Sequence, residues 1–186
     1  MGTQAQSVAE LQKEVDILVY QLGPYAFGMN LSKVRELVRF RNSIPVPYSD
    51  PIVSGVFELR KHILPLIDMR RWVSLENVYP EGTKIIIAQF LGTSLGLKVD
   101  RVERIYRIPW KDIASPELIR PFSSIILGTI KLGDRLVNLL DYEAMTLGLS
   151  PRLMRSLNPG LENDELLGSR QTKGSGSSTT HRPFRK

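Results

Sequence analysis

The chain has 186 residues, of which 42% are hydrophobic and 24% are charged, an ordinary balance for a protein that folds around a core. It contains no cysteine, which excludes disulfides, thiolate nucleophiles and cysteine-based zinc sites. Five of its 25 basic residues and no acid lie in 170–186, so the rest of the chain carries 20 bases against 19 acids. A near-neutral body argues against a nucleic-acid-binding domain, because such a domain clusters its bases on a folded face.

The chain begins with residues 1–14, which are predicted to form a helical extension. Ser7 and Glu10 have the spacing of a capping box, and apolar residues follow at helical intervals. Nothing here resembles a signal peptide, so we expect a cytoplasmic protein. Further along, Ser49 and Asp50 predict a helix start. Turn residues separate nine predicted short strands, typical of a β-barrel or sandwich, at 16–22, 25–31, 55–59, 63–67, 84–91, 95–99, 105–108, 125–132 and 136–140.

An internal repeat is the most informative feature of the sequence. Residues 28–37 (GMNLSKVREL) align with 96–105 (GLKVDRVERI) at an offset of 68. Residues 55–68 (GVFELRKHILPLID) align with 128–141 (GTIKLGDRLVNLLD) at an offset of 73. Glycine–aliphatic alternation recurs in any β protein, which is the simpler explanation. Duplication of a unit too small to bury a core alone predicts instead that two units pack together, with a groove between them for a partner.

Catalytic and metal-binding patterns are missing from the sequence. His62 falls in a tight predicted turn and His181 in the tail, and no HExxH motif, phosphate loop or GxSxG elbow occurs. Asp68 and Asp141 occupy equivalent repeat positions between a strand and a helical stretch. They can be read as an acid/base pair, but that placement favours two helix N-caps. We therefore expect a binding module that is not an enzyme and uses no metal or cofactor.

The duplicated segments resemble the CheW-like domain of bacterial chemotaxis coupling proteins, which include CheW and the N-terminal domain of CheV. The resemblance rests on 28–37, on 53–70 (VSGVFELRKHILPLIDMR) and on 96–102 (GLKVDRV), of which P-L-I-D-M-R is the most specific part. Residues 108–113 (IPWKDI) look similar to the corresponding part of CheV. The domain is placed at 15–150, with repeats at about 24–80 and 92–148, and 151–186 is expected to be a flexible basic tail.

The resemblance implies a mainly β fold of two SH3-like five-stranded β-barrels packed together, with short helices. It implies a non-catalytic adaptor that couples chemoreceptors to a CheA-type histidine kinase. The partners would be that kinase and the cytoplasmic tips of methyl-accepting chemoreceptors, with membrane contact only through the receptors. Nucleic acid is not expected. The alternative is a nucleic-acid-associated β-barrel that uses the basic tail as an electrostatic arm.

Protein-binding positions are carried over from the family's contact positions to Val34, Glu36 and Arg60. Val34 and Leu37 are predicted to form an apolar patch on one short helical face, while Glu36 and Arg60 add charge selectivity. The family turn N-L-R-G reads E-L-R-K here. Because glycine supplies the positive φ of such a turn, Lys61 predicts a different turn or backbone strain.

Two further binding positions come from the second repeat. Val99 and Val102 are placed at the duplicate positions, across the groove from the first repeat. Burial in the core is an equally good interpretation of these valines.

Overall fold

The computed structural model describes residues 13–47, 49–115 and 125–149 of the chain. Of the helical extension predicted for 1–14, residues 1–12 lie outside these residues, as does the tail predicted for 151–186, whereas Glu14 begins a strand. Two 3-10 turns occur at Leu31–Lys33 and Trp110–Asp112. The strands and helices are β1 Glu14–Leu22, β2 Tyr25–Asn30, β3 Val34–Arg39, β4 Val53–Leu59, β5 His62–Asp68, α1 Met69–Trp72, β6 Lys84–Phe90, β7 Thr93–Val99, β8 Arg101–Pro109, β9 Ile113–Ala114, β10 Ile126–Leu132, β11 Arg135–Leu140 and α2 Tyr142–Gly148.

Two sheets contain these strands. The first sheet has six strands in the order β8-β1-β2-β11-β10-β9, and the second has five in the order β3-β6-β7-β5-β4. In repeat terms, β1 to β5 correspond to β6, β7, β8, β10 and β11. Each sheet therefore joins the first hairpin of one repeat to the later strands of the other. The predicted mainly β fold with short helices is confirmed. The two repeats do not form one sheet each, because each contributes its first hairpin to one sheet and its later strands to the other.

Three apolar clusters make up the core. One lies within the first sheet around Ile17, Val19 and Val137, and another lies within the second sheet around Phe57 and Ile85. The central cluster combines residues from both sheets and both helices, including Tyr20, Leu97 and Tyr142. Inside it the Tyr20 and Tyr142 hydroxyls are 2.7 Å apart, and the Tyr142 hydroxyl donates to the Gly28 carbonyl at 3.1 Å. This shared core is why neither repeat can be removed without exposing the other.

The repeated glycines mark places where a side chain has no room. A Cβ on Gly28 would lie 2.6 Å from Leu139 Cδ2, and one on Gly96 would lie 2.7 Å from Phe57 Cε1. Both glycines sit on a central strand that has partners on each side, β2 in the first sheet and β7 in the second. Glycine therefore recurs at this position because an apolar side chain, Leu139 in the first sheet and Phe57 in the second, occupies the space that a Cβ would need.

Both repeated aspartates are helix N-caps, as the sequence favoured. The Asp68 carboxylate accepts a hydrogen bond from the Arg71 backbone N–H at 3.1 Å, and Asp141 accepts from Ala144 at 2.8 Å. They cap α1 and α2 at equivalent places in the two repeats.

Two local predictions are wrong. Residues 34–39 form strand β3 rather than a helical face, and their burial alternates at every second residue. No helix starts at Ser49 or Asp50, because the chain makes a turn there and enters β4 at Val53. No helix among the described residues is long and apolar enough to cross a membrane.

Candidate functional site

A concave surface lies at one end of the second sheet, and we call it the hairpin site. It has a volume of about 660 Å³ and is formed by β3, the β4–β5 turn and the β6–β7 turn. Two of the predicted contact residues, Glu36 and Arg60, line it together. The lining consists of Arg35, Glu36, Leu59, Arg60, Lys61, His62, Ile63, Leu64, Ile87, Gly92, Thr93 and Ser94.

Glu36 and Arg60 form an ion pair across this site. Arg60 Nη2 lies 3.0 Å from Glu36 Oε2, and the two side chains are 77% and 30% exposed. A pair this open to water contributes at most about 1 kcal/mol to the free energy of folding. The pair therefore does little for stability, and its charges stay accessible to a partner.

The turn that carries Arg60 keeps the glycine-like conformation without glycine. Arg60 has φ 50° and Lys61 has φ 70°, both in the left-handed region, while Leu59 pairs with His62 across a two-residue turn. The equivalent turn in the second repeat begins with Gly133, at φ 61°. Both turns have two residues, since Leu132 pairs with Arg135 as Leu59 pairs with His62. Lys61 adopts the left-handed conformation despite the strain that its Cβ causes there.

Ile63 is an exposed aliphatic residue of the hairpin site that the sequence analysis missed. Its side chain is 62% exposed at the start of β5, whereas Leu64 packs against the core of the second sheet. Two consecutive aliphatic residues in a strand point to opposite faces, so one of this pair had to leave the core. Leu136, the repeat equivalent of Ile63, is also exposed.

Val34 and Leu37 do not form one apolar patch. Val34 is half-buried against the central cluster, and Leu37 is 48% exposed on the other face of β3. The correction follows from the period, because residues three apart share a face in a helix and lie on opposite faces in a strand. Neither residue lines the hairpin site.

The two valines of the second repeat separate in the same way. Val99 is completely buried in the central cluster, so it belongs to the core and presents no surface to a partner. Val102 lies on β8 and is half-buried against that cluster, as Val34 is on β3. Only Val102 of these two is available for contact.

A second charge cluster lies on the first sheet. Glu103 on β8 makes a bidentate pair with the Arg135 guanidinium and accepts a hydrogen bond from Gln21 Nε2 at 2.6 Å. The hydrogen bonds from Arg135 hold the pKa of Glu103 below its ordinary value, against the opposing effect of burial. This pair joins β8 to β11.

The most specific sequence motifs meet in a buried polar network, away from the hairpin site. Arg70 Nε and Nη2 donate to the Asp100 carboxylate at 2.8 and 2.5 Å, and the Gly23 backbone N–H donates to it at 2.6 Å. The Arg70 and Asp100 side chains are only 11% and 6% exposed. The network joins α1 and the end of β7 to the β1–β2 turn, and so ties the two sheets together.

Metal-binding geometry is not found in the part of the chain that the structure describes, where no three His, Asp or Glu residues are grouped to hold an ion. The hairpin site places paired charges beside an exposed aliphatic side chain. Such a mixture is common where proteins bind one another.

Comparisons with known proteins identify relatives of this chain. The CheW-like domain matches residues 16–147. Chemotaxis protein CheV3 of Helicobacter pylori is 32% identical over an alignment of 146 residues. The match covers 70% of this chain and 46% of that protein, so the chain spans about half the length of this relative. Chemotaxis protein CheW of Treponema pallidum is 25% identical over an alignment of 136 residues, and the match covers 69% of this chain and 80% of that protein.

A solved structure has the same fold. It is the crystal structure of the scaffolding protein TtCheW from Thermoanaerobacter tengcongensis, with a TM-score of 0.65. The two are 24% identical, and the match covers 69% of this chain and 90% of the other.

Proposed function

Because this chain belongs to the CheW-like domain family, we propose that it is a non-catalytic adaptor that couples chemoreceptors to a CheA-type histidine kinase. The relatives named above are chemotaxis proteins. The proposed partners are that kinase and the cytoplasmic tips of methyl-accepting chemoreceptors. In this role the protein works at receptor arrays on the inner face of the membrane, held there by its partners.

One observation carries the proposal, namely the meeting of Glu36 and Arg60 in the hairpin site. They come from different elements, β3 and the β4–β5 turn, yet form one ion pair on an open surface. The exposed side chain of Ile63 lies in the same site. An aliphatic anchor beside charges that set register is the combination that gives a protein interface both affinity and selectivity.

Val34, Leu37 and Val102 extend the proposed contact surface beyond the hairpin site. Leu37 is exposed on the outer face of β3, and Val34 and Val102 lie at the edge of the central cluster. Because these two valines occupy equivalent positions in the repeats, they offer similar small apolar contacts on the two sheets. We propose them as secondary contacts.

The test measures binding of the purified full chain to the kinase and, separately, to a receptor cytoplasmic fragment. Glu36→Lys reverses a charge that adds little to stability, so it should weaken at least one of the two complexes tenfold or more while the melting temperature changes little. Glu76→Lys makes the same charge change in the loop after α1 and should leave both affinities unchanged. Val34→Gln is compared in the same way with Val78→Gln, a change at an exposed valine.

The outcomes separate the function from the site. Absence of binding by the unmodified protein to both partners would contradict the adaptor role. Normal binding by both Glu36→Lys and Val34→Gln would keep the role and overturn the site assignment.

A further inference from the structure

A second pocket lies at the other end of β3 from the hairpin site, and nothing in the proposed adaptor function uses it. Its volume is about 530 Å³, within the range of small-molecule sites. The end of β3, the loop 79–83 and the neighbouring ends of β6 and β7 form its walls. It is lined by Arg39, Phe40, Tyr79, Pro80, Glu81, Gly82, Thr83, Lys84 and Lys98.

Three basic side chains line this pocket without acidic partners. Within the described residues, none of Arg39, Lys84 and Lys98 makes an ion pair. Arg39 on β3 stands directly opposite Lys84 on β6 in the sheet. Like charges in that position destabilise a strand pair, and a bound anion would relieve their repulsion.

Lys98 is held in place by two aromatic rings. Its ammonium nitrogen lies 3.6 Å from the centre of the Tyr79 ring and 4.8 Å from that of Phe40. Partial burial lowers the pKa of Lys98, against the attraction of nearby Asp68. A desolvated ammonium group in a fixed position interacts more strongly with an anion than a solvated surface lysine does.

The acids behind the pocket are already engaged. Asp100 makes the bidentate pair with Arg70, and Asp68 caps α1 and accepts a hydrogen bond from the Tyr79 hydroxyl at 2.5 Å. Glu81 is the acid that lines the pocket, so its three bases leave a net charge of +2.

The pocket walls are fixed by hydrogen bonds rather than left open to rearrange. The Phe40 N–H donates to the Thr83 carbonyl at 3.3 Å, and the Thr83 hydroxyl donates to the Pro80 carbonyl at 2.8 Å. The loop is thereby held against the end of β3. A concave, preformed site with a net charge of +2 matches an oxyanion that carries two negative charges.

We propose that this pocket binds a phosphate-class dianion, either inorganic phosphate or the phosphoryl group of a small phosphate monoester. A phosphoryl group carries about −1.5 to −2 at neutral pH and offers three acceptor oxygens to the three bases. Arg39 and Lys84 hold the anion from the paired ends of β3 and β6, and Lys98 from the end of β7. The site is separate from kinase and receptor contact at the hairpin site.

The experiment titrates ¹⁵N-labelled full-length protein with inorganic phosphate, and in parallel with O-phosphoserine, at constant ionic strength. Saturable amide shifts are expected at residues 39–40, 81–84 and 98. Because shifts are read residue by residue, binding to the basic tail does not interfere. Tighter binding of one probe identifies the source of the phosphoryl group, since both have the proposed chemistry.

The variant Arg39→Gln/Lys84→Gln should weaken phosphate binding at these residues at least tenfold. The control Lys131→Gln changes an exposed lysine on β10 and should leave phosphate binding unchanged. Both residues of the double variant are on the strand surface, and Lys84→Gln alone serves if the double variant fails to fold. Equal shifts with chloride or acetate at matched ionic strength would overturn the dianion site. Unchanged saturation by the folded variant would do the same.

Discussion

The buried Arg70–Asp100 pair allows a quantitative test of what holds the two sheets together. Asp100→Ala removes the acceptor for two Arg70 donors and for the Gly23 N–H. Among the described residues, the guanidinium then keeps its bond to the Glu76 carbonyl and its contact with the Tyr79 ring. Removing one partner from a buried ion pair costs about 3–5 kcal/mol, because the other charge is left uncompensated.

The assay is urea unfolding followed by circular dichroism and tryptophan fluorescence. With a urea slope of about 2 kcal/mol per molar, a loss near 4 kcal/mol lowers the midpoint by about 2 M. Asp16→Ala is the matched control, since Asp16 makes a similar pair with Arg107, at 3.0 and 3.4 Å, on the open surface. That change should barely move the midpoint, because exposed pairs contribute little.

A double variant keeps the test decisive if Asp100→Ala does not fold. Arg70→Met/Asp100→Leu replaces both charges with apolar groups and should recover much of the lost stability, as replacement of a whole buried pair often does, while the Gly23 N–H stays without its acceptor. Similar midpoints for Asp100→Ala and Asp16→Ala would refute the inference that this pair ties the sheets.

Two further predictions follow from the turn and from the charge cluster of the first sheet. Lys61→Gly should raise the free energy of unfolding by about 1 kcal/mol, because it removes a Cβ from a left-handed residue. Thermal melts measure this gain, with Lys131→Gly as the control at a lysine outside the turn. No gain in stability for Lys61→Gly would mean that the turn is unstrained. Because Arg135 lowers the folded-state pKa of Glu103, this carboxylate stabilises the fold above its ordinary pKa of 4.5 and loses that contribution as the pH falls through the lowered value. Glu103→Gln should therefore be destabilised at pH 7 and approach the unmodified protein at lower pH in urea midpoints, and a pH-independent difference would contradict this sign.

Much of the fold could be predicted from the repeat. Gly28 and Gly96 mark equivalent crowded strands, and Asp68 and Asp141 mark equivalent helix starts, so local pattern and packing agree there. The exchange of hairpins between the sheets could not be predicted. It is decided by which distant strands pair, and a periodic pattern says only which face of a strand is buried.

The hairpin site was harder to predict than the fold. Glu36 and Arg60 were identified through the family resemblance, and their meeting depends on a turn whose letters differ from the family's. Val34 and Leu37 are three residues apart, a spacing that fits a helical face, whereas the structure ends the preceding segment in a 3-10 turn capped by Asn30 and continues as a strand. Ile63 lies in a predicted strand, and that prediction alone does not say which of Ile63 and Leu64 faces the core.

The most specific motif of the chain does not lie at its proposed binding surface. Asp68 and Arg70 of P-L-I-D-M-R, together with Asp100 of V-D-R-V, cap a helix and join the sheets in a buried network. Residues of this kind are constrained by stability, so they identify the fold whatever the protein binds. Glu36 and Arg60 contribute little to stability, so we expect binding rather than folding to constrain them. Partner specificity should therefore be sought in the hairpin site, where this chain departs from the family turn at Lys61.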